Sequence, residues 1–132
     1  MGTRLLFDTE TTGLLKSDSN DIQEQPYIIE LYACKIDDGY NLIDEYETFI
    51  KPPIELPPVI TKITGIKESD LEDAPTFLEV YETLAPFFTG VDEMIAHNLP
   101  FDRSMVANEL VRVNKLINFP WPIKHTCTVE MS

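Results

Sequence analysis

The sequence is short of positive charge. Ten lysines and arginines stand against 23 aspartates and glutamates, a formal charge of −13. Affinity for a nucleic-acid backbone is built from Lys and Arg, so this balance opposes nonspecific adsorption to DNA, RNA or an anionic membrane. It suits a chain that takes its positive charge from a bound divalent cation. Cysteine is scarce as well. Cys34 and Cys127 lack metal-ligand spacing and form no disulfide framework, and both are expected as free thiols in a reducing compartment. No apolar run approaches the roughly 18 residues of a membrane-spanning helix. No leader pattern is present, and Met1-Gly2-Thr3-Arg4-Leu5-Leu6 lacks the hydroxyl residue that myristoylation requires. A soluble cytoplasmic protein without a membrane partner is expected. What the chain does have is 43% hydrophobic residues, thirteen of its side chains being aromatic (one Trp, five Tyr, seven Phe). That composition excludes disorder, and 132 residues suit one domain.

The pattern alternates strands and helices. Residues 4–9 read as a first strand and residues 15–26 as a polar loop. Residues 27–36 form a strand dense in Ile, Tyr and Leu, and Asp37-Asp38-Gly39 supplies hairpin chemistry leading into a strand over 42–50. The proline-rich stretch 51–74 reads as a connector with short helical turns at most. Asp73-Ala74-Pro75 has the form of a helix start. Phe77, Val80, Tyr81, Leu84, Phe87 and Phe88 then recur at helical spacing up to Gly90. A buried strand over 94–96, a helix over 101–113 and a last strand over 123–128 complete the order. A hairpin followed by crossovers implies a mixed α/β sheet flanked by helices, its first and fourth strands adjacent and parallel.

The chemistry concentrates at Phe7-Asp8-Thr9-Glu10-Thr11-Thr12-Gly13-Leu14. Residues i and i+2 of a strand point the same way about 7 Å apart, so Asp8 and Glu10 project together. Leu5-Leu6-Phe7 reads as a buried central strand, where unpaired acids are costly and a cation explains them. Solvated acids on a strand edge are the plain alternative. Asp102, at the end of His97-Asn98-Leu99-Pro100-Phe101-Asp102, falls in the first turn of the following helix, where exposed amides favour an acid. A simple helix cap is the alternative for Asp102 alone. With neighbouring first and fourth strands, the three carboxylates meet at the sheet's carboxyl end. That set suits one or two Mg²⁺ or Mn²⁺ ions, and a two-metal site stabilises the attacking and leaving oxygens of a phosphodiester.

These segments resemble the first and second motifs of the DnaQ-like 3′–5′ exonucleases, the DEDD superfamily with a ribonuclease H-like fold. Ile28-Ile29-Glu30-Leu31, Ile63-Thr64-Gly65-Ile66 and Ala74-Pro75-Thr76-Phe77 match in order and spacing, so the resemblance covers nearly the whole chain. It implies that Asp8, Glu10 and Asp102 ligate the catalytic metals. It implies further that the backbone of Thr11 and Thr12 approaches the 3′-terminal nucleotide, with Gly13 permitting the turn. Leu14 and Ile63 are expected to pack on the terminal base or sugar. His97, Asn98 and Phe101 are expected to shape the substrate-side loop, without a chemical role. The implied substrate is a single-stranded or frayed 3′ end of DNA, with RNA as the alternative, and the implied product a nucleoside monophosphate.

The match is incomplete. The resemblance calls for a third motif, a histidine five residues before a fourth metal-binding aspartate on a late helix, and no such pair follows Asp102. Residues 1–132 are therefore read as the N-terminal portion of an exonuclease domain holding motifs I and II, the C-terminal part of the fold absent. A complementing C-terminal fragment or a polymerase is the expected partner, and an inactive nuclease-fold interaction module is the alternative. Without a general base, a loss on the order of 10²–10⁴ in rate is expected. Lys16, Lys62, Lys67 and Arg103 lie near the motifs and could form a small basic rim. Reversing the charge of Lys62 and Lys67 together is expected to weaken binding of a single-stranded oligonucleotide, measured by fluorescence anisotropy; unchanged binding removes the rim.

Overall fold

A computed structural model describes residues 2–16, 19, 21–122 and 124–127 of the chain, the side chains of His125 and Cys127 excepted. Among these residues the elements are β1 (Arg4–Thr11), β2 (Ile28–Ile36), β3 (Leu42–Phe49), α1 (Pro58–Thr64), α2 (Glu68–Leu71), α3 (Phe77–Phe88), β4 (Glu93–Ala96), α4 (Leu99–Arg112) and β5 (Lys124–Cys127). One sheet carries all five strands in the order β3-β2-β1-β4-β5. The first strand is thus central, antiparallel to β2 and parallel to β4. This is the mixed, helix-flanked sheet of the ribonuclease H-like class. The expectation that Cys127 is a free thiol, and the ends of the last strand at Ile123 and Thr128, lie outside the described residues.

Strand alternation sorts β1 into two faces. Leu5, Phe7 and Thr9 are buried, while Leu6 and Asp8 are exposed and Glu10 is half-buried on the other side. The helices α3 and α4 cover the first face. Phe88 of α3, fully buried, meets Phe7 edge-on at 5.7 Å between ring centroids and lies 4.9 Å from Phe119. Trp121 stacks edge-on against both Phe88 and Phe119, so the Pro120-Trp121-Pro122 segment is anchored in the same aromatic cluster. Met94 and Ala96 of β4 and Met105, Val106 and Leu110 of α4 complete this core.

The parallel ladder between β1 and β4 is short, running only from Arg4–Glu93 to Leu6–Ile95. Beyond it β4 ends at Ala96 and the chain turns into α4, while β1 continues to Thr11. The sheet therefore parts beside Asp8. A cleft of about 530 Å³ opens there, lined by Leu6, Phe7, Asp8, Tyr32, Ile95, Ala96 and His97.

Two local expectations are corrected, and the expected hairpin gains a detail. Pro75 does not start α3. Thr76 is the N-cap, with its hydroxyl accepting from Glu79 N while Glu79 Oε1 accepts from Thr76 N at 3.0 Å. This reciprocal box satisfies two orphan amides, which a first-turn proline cannot do. The 51–74 connector is more ordered than its prolines suggest. In it α1 and α2 bury Leu56, Ile60, Ile66 and Leu71 against Ile29 and Phe49, and Gly65 closes α1 at φ +82°, a conformation suited to glycine. In the hairpin, Tyr40 rather than Gly39 takes the positive φ, while Asp37 holds the loop through the amides of Gly39 and Asn41.

Truncating Phe88 to alanine is expected to cost about 3–5 kcal/mol in urea unfolding. Leu14→Ala, at an exposed position, is expected to stay within about 0.5 kcal/mol.

Candidate active site

Asp8 and Glu10 stand on the same face of β1, toward the carboxyl end of the central strand. Opposite them in the antiparallel ladder, Tyr32 pairs with Asp8 and Glu30 pairs directly with Glu10. Glu47 of β3 is across from Tyr32. Asp8, Thr9, Glu10, Glu30, Tyr32 and Glu47 line a concavity of about 300 Å³. Like charges directly opposite on paired strands repel. Burial raises the pKa of Glu10, and Asp8 raises it further. Burial likewise raises that of Glu30, followed by the charges of Glu47, Glu10 and Asp8. This end of the sheet face gathers four carboxylates, none of them in an ion pair among the described residues.

Asp102 occupies the helix-terminal position expected of it and is buried there. It lies in the first turn of α4 and is only 4% exposed. The Thr9 hydroxyl, which points to the helix side of β1, donates to Asp102 Oδ1 at 2.7 Å. Burial pushes the Asp102 carboxyl up to about 6; the Thr9 hydrogen bond opposes the shift, and the charges of Asp8 and Glu10 add to it. Desolvation here outweighs the favourable helix terminus. Asp102 thus feels the charges of Asp8 and Glu10 while its Oδ1 accepts from Thr9. Among the described residues no three His, Cys, Asp or Glu side chains are gathered closely enough to hold a metal ion. The donor chemistry still fits a hard cation. Asp8 and Glu10 offer only carboxylate oxygens, and the charge around them is unneutralised.

The segment after β1 is held by internal hydrogen bonds. The Thr11 hydroxyl donates to the Gly13 carbonyl at 2.7 Å. Thr12 and Tyr27 exchange two bonds, Thr12 N to the Tyr27 carbonyl and Tyr27 N to the Thr12 hydroxyl, both 2.9 Å. Leu14 and Ile63, expected to meet a base or sugar, are 81% and 74% exposed. His97 is exposed on the Asp8 cleft, and Asn98 is the N-cap residue of α4 without a side-chain cap bond. Phe101 is half-buried against the main core, consistent with shaping the loop. Of the proposed basic rim, Arg103 stacks on the Trp121 ring at 4.6 Å.

Sequence reasoning gave no site role to Thr9, Glu109 and Arg112, and read Glu30 as a polar-facing or paired residue without a catalytic part. Strand parity marks Thr9, since the residue between two outward acids must point inward beneath Asp102. Hairpin register marks Glu30, once β2 is paired with β1. The pairing of Glu109 and Arg112 with the loop before β2 spans more than 80 positions and has no local signal.

Comparison with known proteins closes the assignment. A family model described as Exonuclease matches residues 5–132. The chain is 41% identical over 108 residues to a PolC-type DNA polymerase III from Caldanaerobacter subterraneus subsp. tengcongensis, covering 82% of this chain and 7% of that one. It is 30% identical over 129 residues to a DNA polymerase III subunit epsilon from Pasteurella multocida, covering 98% of this chain and 50% of the other. The chain therefore spans at most about half the length of these relatives. Its fold matches E. coli Exonuclease I in complex with a dT13 oligonucleotide at a TM-score of 0.76 and 17% identity, over 99% of this chain and 29% of that one. Exonuclease X in complex with 5′ overhanging duplex DNA matches at 0.63 and 22% identity, over 97% of this chain and 61% of that one. With acids, fold and family model in agreement, the chain belongs to the exonuclease family, on the DnaQ-like branch that also includes the DNA polymerase III epsilon subunits.

Proposed function

We propose that this chain forms the metal- and 3′-end-binding part of a 3′–5′ exonuclease that hydrolyses terminal phosphodiester bonds of DNA to nucleoside monophosphates, in proofreading or DNA processing. The observation that carries the reading is the uncompensated carboxylate group at the end of β1, set beside a cleft between parting strands. The names of the relatives, polymerase III chains and subunits, favour DNA over RNA and a polymerase as partner. A cytoplasmic setting goes with the replication role of those relatives; among the described residues no helix is long and apolar enough to cross a membrane.

Family membership implies a divalent cation. Asp8 and Glu10 would hold Mg²⁺ or Mn²⁺, in the finer reading a pair of ions, with Asp102 as the third carboxylate. The metal, when bound, supplies positive charge to the attacking and leaving oxygens. The chain's own part is placement. Thr11, Thr12 and Gly13 would present backbone to the 3′-terminal nucleotide, and Leu14 and Ile63 would cover its apolar surface. Tyr27 and Thr12 keep that segment from drifting. No second His-x₄-Asp pair follows Asp102 in the sequence. The general base would come from a segment beyond these residues, in the same polypeptide or in another.

Two outcomes are expected. In Mn²⁺, release of mononucleotides from a 3′-labelled single strand is expected to be weak, because the general base is missing, and to fall to background in Asp8→Ala; activity that survives in Asp8→Ala removes the assignment, and its absence from wild type at high metal supports the inactive module or an incomplete fragment. The second concerns pH. Because the Asp102 pKa is raised from 3.8 to about 6, the folded chain retains a proton that the unfolded chain has lost. Its contribution to stability therefore falls as pH rises through that window, and the full cost is present above it. In metal-free buffer Asp102→Asn is expected to melt roughly 3 °C or more above wild type at pH 8, and to differ little near pH 4. A variant that melts no higher at pH 8 contradicts the buried-acid assignment.

A further inference from the structure

Arg112, at the end of α4, is 8% exposed at its side chain and is paired at 3.1 Å with Glu109, which is more deeply buried at 5%. All four terminal N–H groups of its guanidinium are engaged. Nη2 donates to the carbonyls of Ile22 (2.8 Å) and Gln25 (2.6 Å), and Nη1 to Pro26 O and Glu109 Oε1 (each 3.1 Å). The guanidinium also lies over the Tyr27 ring, 3.8 Å from its centroid. Glu109 Oε2 accepts from Ile28 N at 3.0 Å. One arginine and one glutamate thereby bind the carbonyls of Ile22, Gln25 and Pro26 and the amide of Ile28, in the segment that leads into β2. Tyr27 is the residue that exchanges two hydrogen bonds with Thr12. Gln25 makes a second reciprocal link, its side chain bonded to both the N–H and the carbonyl of Lys16.

We propose that Glu109 and Arg112 are positioning residues for 3′-end binding: a buried clamp that fixes residues 22–28 and, through Tyr27, sets the backbone of Thr11–Gly13 against the terminal nucleotide. The role in binding rests on the reading of that segment given above; the clamp itself does not. The fork geometry is essential to it. A planar guanidinium can meet several carbonyls at fixed angles, whereas a lysine ammonium is a compact point charge on a flexible stem. The clamp reaches from the helix layer to the rim of the site without touching Asp8 or Glu10. Its loss acts on where the 3′ end rests and leaves the metal-binding acids in place.

Backbone amide exchange on the full chain tests the clamp without turnover. In Arg112→Gln the Thr12 and Tyr27 amides are expected to exchange at least about tenfold faster, while Val80 and Leu84 in α3 keep wild-type protection. Arg112→Lys is expected to behave like Arg112→Gln. In Mg²⁺, affinity for single-stranded oligothymidylate with a free 3′ hydroxyl should fall at least about fivefold by anisotropy. Wild-type protection at Thr12 and Tyr27 overturns the proposal, as does unchanged affinity for an oligonucleotide that wild type binds. If α3 loses protection in Arg112→Gln, Glu109→Gln is judged by the same comparison; loss of α3 protection there too makes the pair a determinant of the core, and the clamp falls. An oligonucleotide that binds neither wild type nor variant removes the nuclease reading and leaves the amide comparison to decide the clamp.

Discussion

Strand β1 must satisfy two opposed surroundings at once, and the rest of the molecule is arranged around that requirement. Leu5 and Phe7 face a dry layer in which Phe88 and Met94 are fully buried. One residue out of phase, Leu6, Asp8 and Glu10 face the opposite way. A slip of one position would bury two acids and expose the core, so the register is enforced by desolvation from both sides. Pairing on both edges enforces it again, antiparallel with β2 and parallel with β4. Thr9 belongs to this alternation. Because it must point inward, it lies under α4 and provides the hydroxyl that holds Asp102.

The electrostatics follow from that geometry. The ladder that fixes Asp8 and Glu10 also brings Glu30 opposite Glu10, and β3 adds Glu47. These carboxylates repel one another and have no cationic side chain among them, while the buried acid that does have one, Glu109, is paired with Arg112. The contrast separates two uses of buried or crowded charge. At Glu109 the charge is matched within the chain and orders a loop; at Glu10 and Glu30 it is left unmatched where a cation can reach it. Tolerating such repulsion lowers the stability of the metal-free fold and raises the gain available on binding.

Much of this was readable from the residues. The Asp8–Glu10 spacing, the apolar run before it and the helical recurrence from Phe77 to Phe88 are local patterns, and each maps onto one face of one element. The parallel neighbourhood of β1 and β4 followed from the element order. What escaped had other causes. Pro75 and Thr76 compete as helix starts, and the Glu79 side chain decides between them only once it folds back. The Pro57-Pro58 pair suggested a loop, yet proline is compatible with a first helical turn, and α1 forms there. Asp102 looked like an acid helped by a helix end, because burial cannot be seen from a turn of sequence. Arg112 and Glu109 carry no local signal, because their partners lie 81 to 90 positions away in the segment that leads into β2.

The short ladder between β1 and β4 has a kinetic consequence. Arg4 meets Glu93 across 89 positions of chain, also as an ion pair. Such a contact forms only after a large loop closes, and topologies dominated by distant pairings fold slowly. The hairpin of β2 and β3 and the helix α3 can organise from neighbouring residues. The cleft beside Asp8 cannot, since its far wall is β4 and the turn into α4. During synthesis β1 leaves the ribosome with its acids and apolar side chains equally exposed, and the chain must lengthen by 89 positions beyond Arg4 before Glu93 and the rest of β4 give it a partner on that edge. The wall of the cleft is made long after the strand it completes.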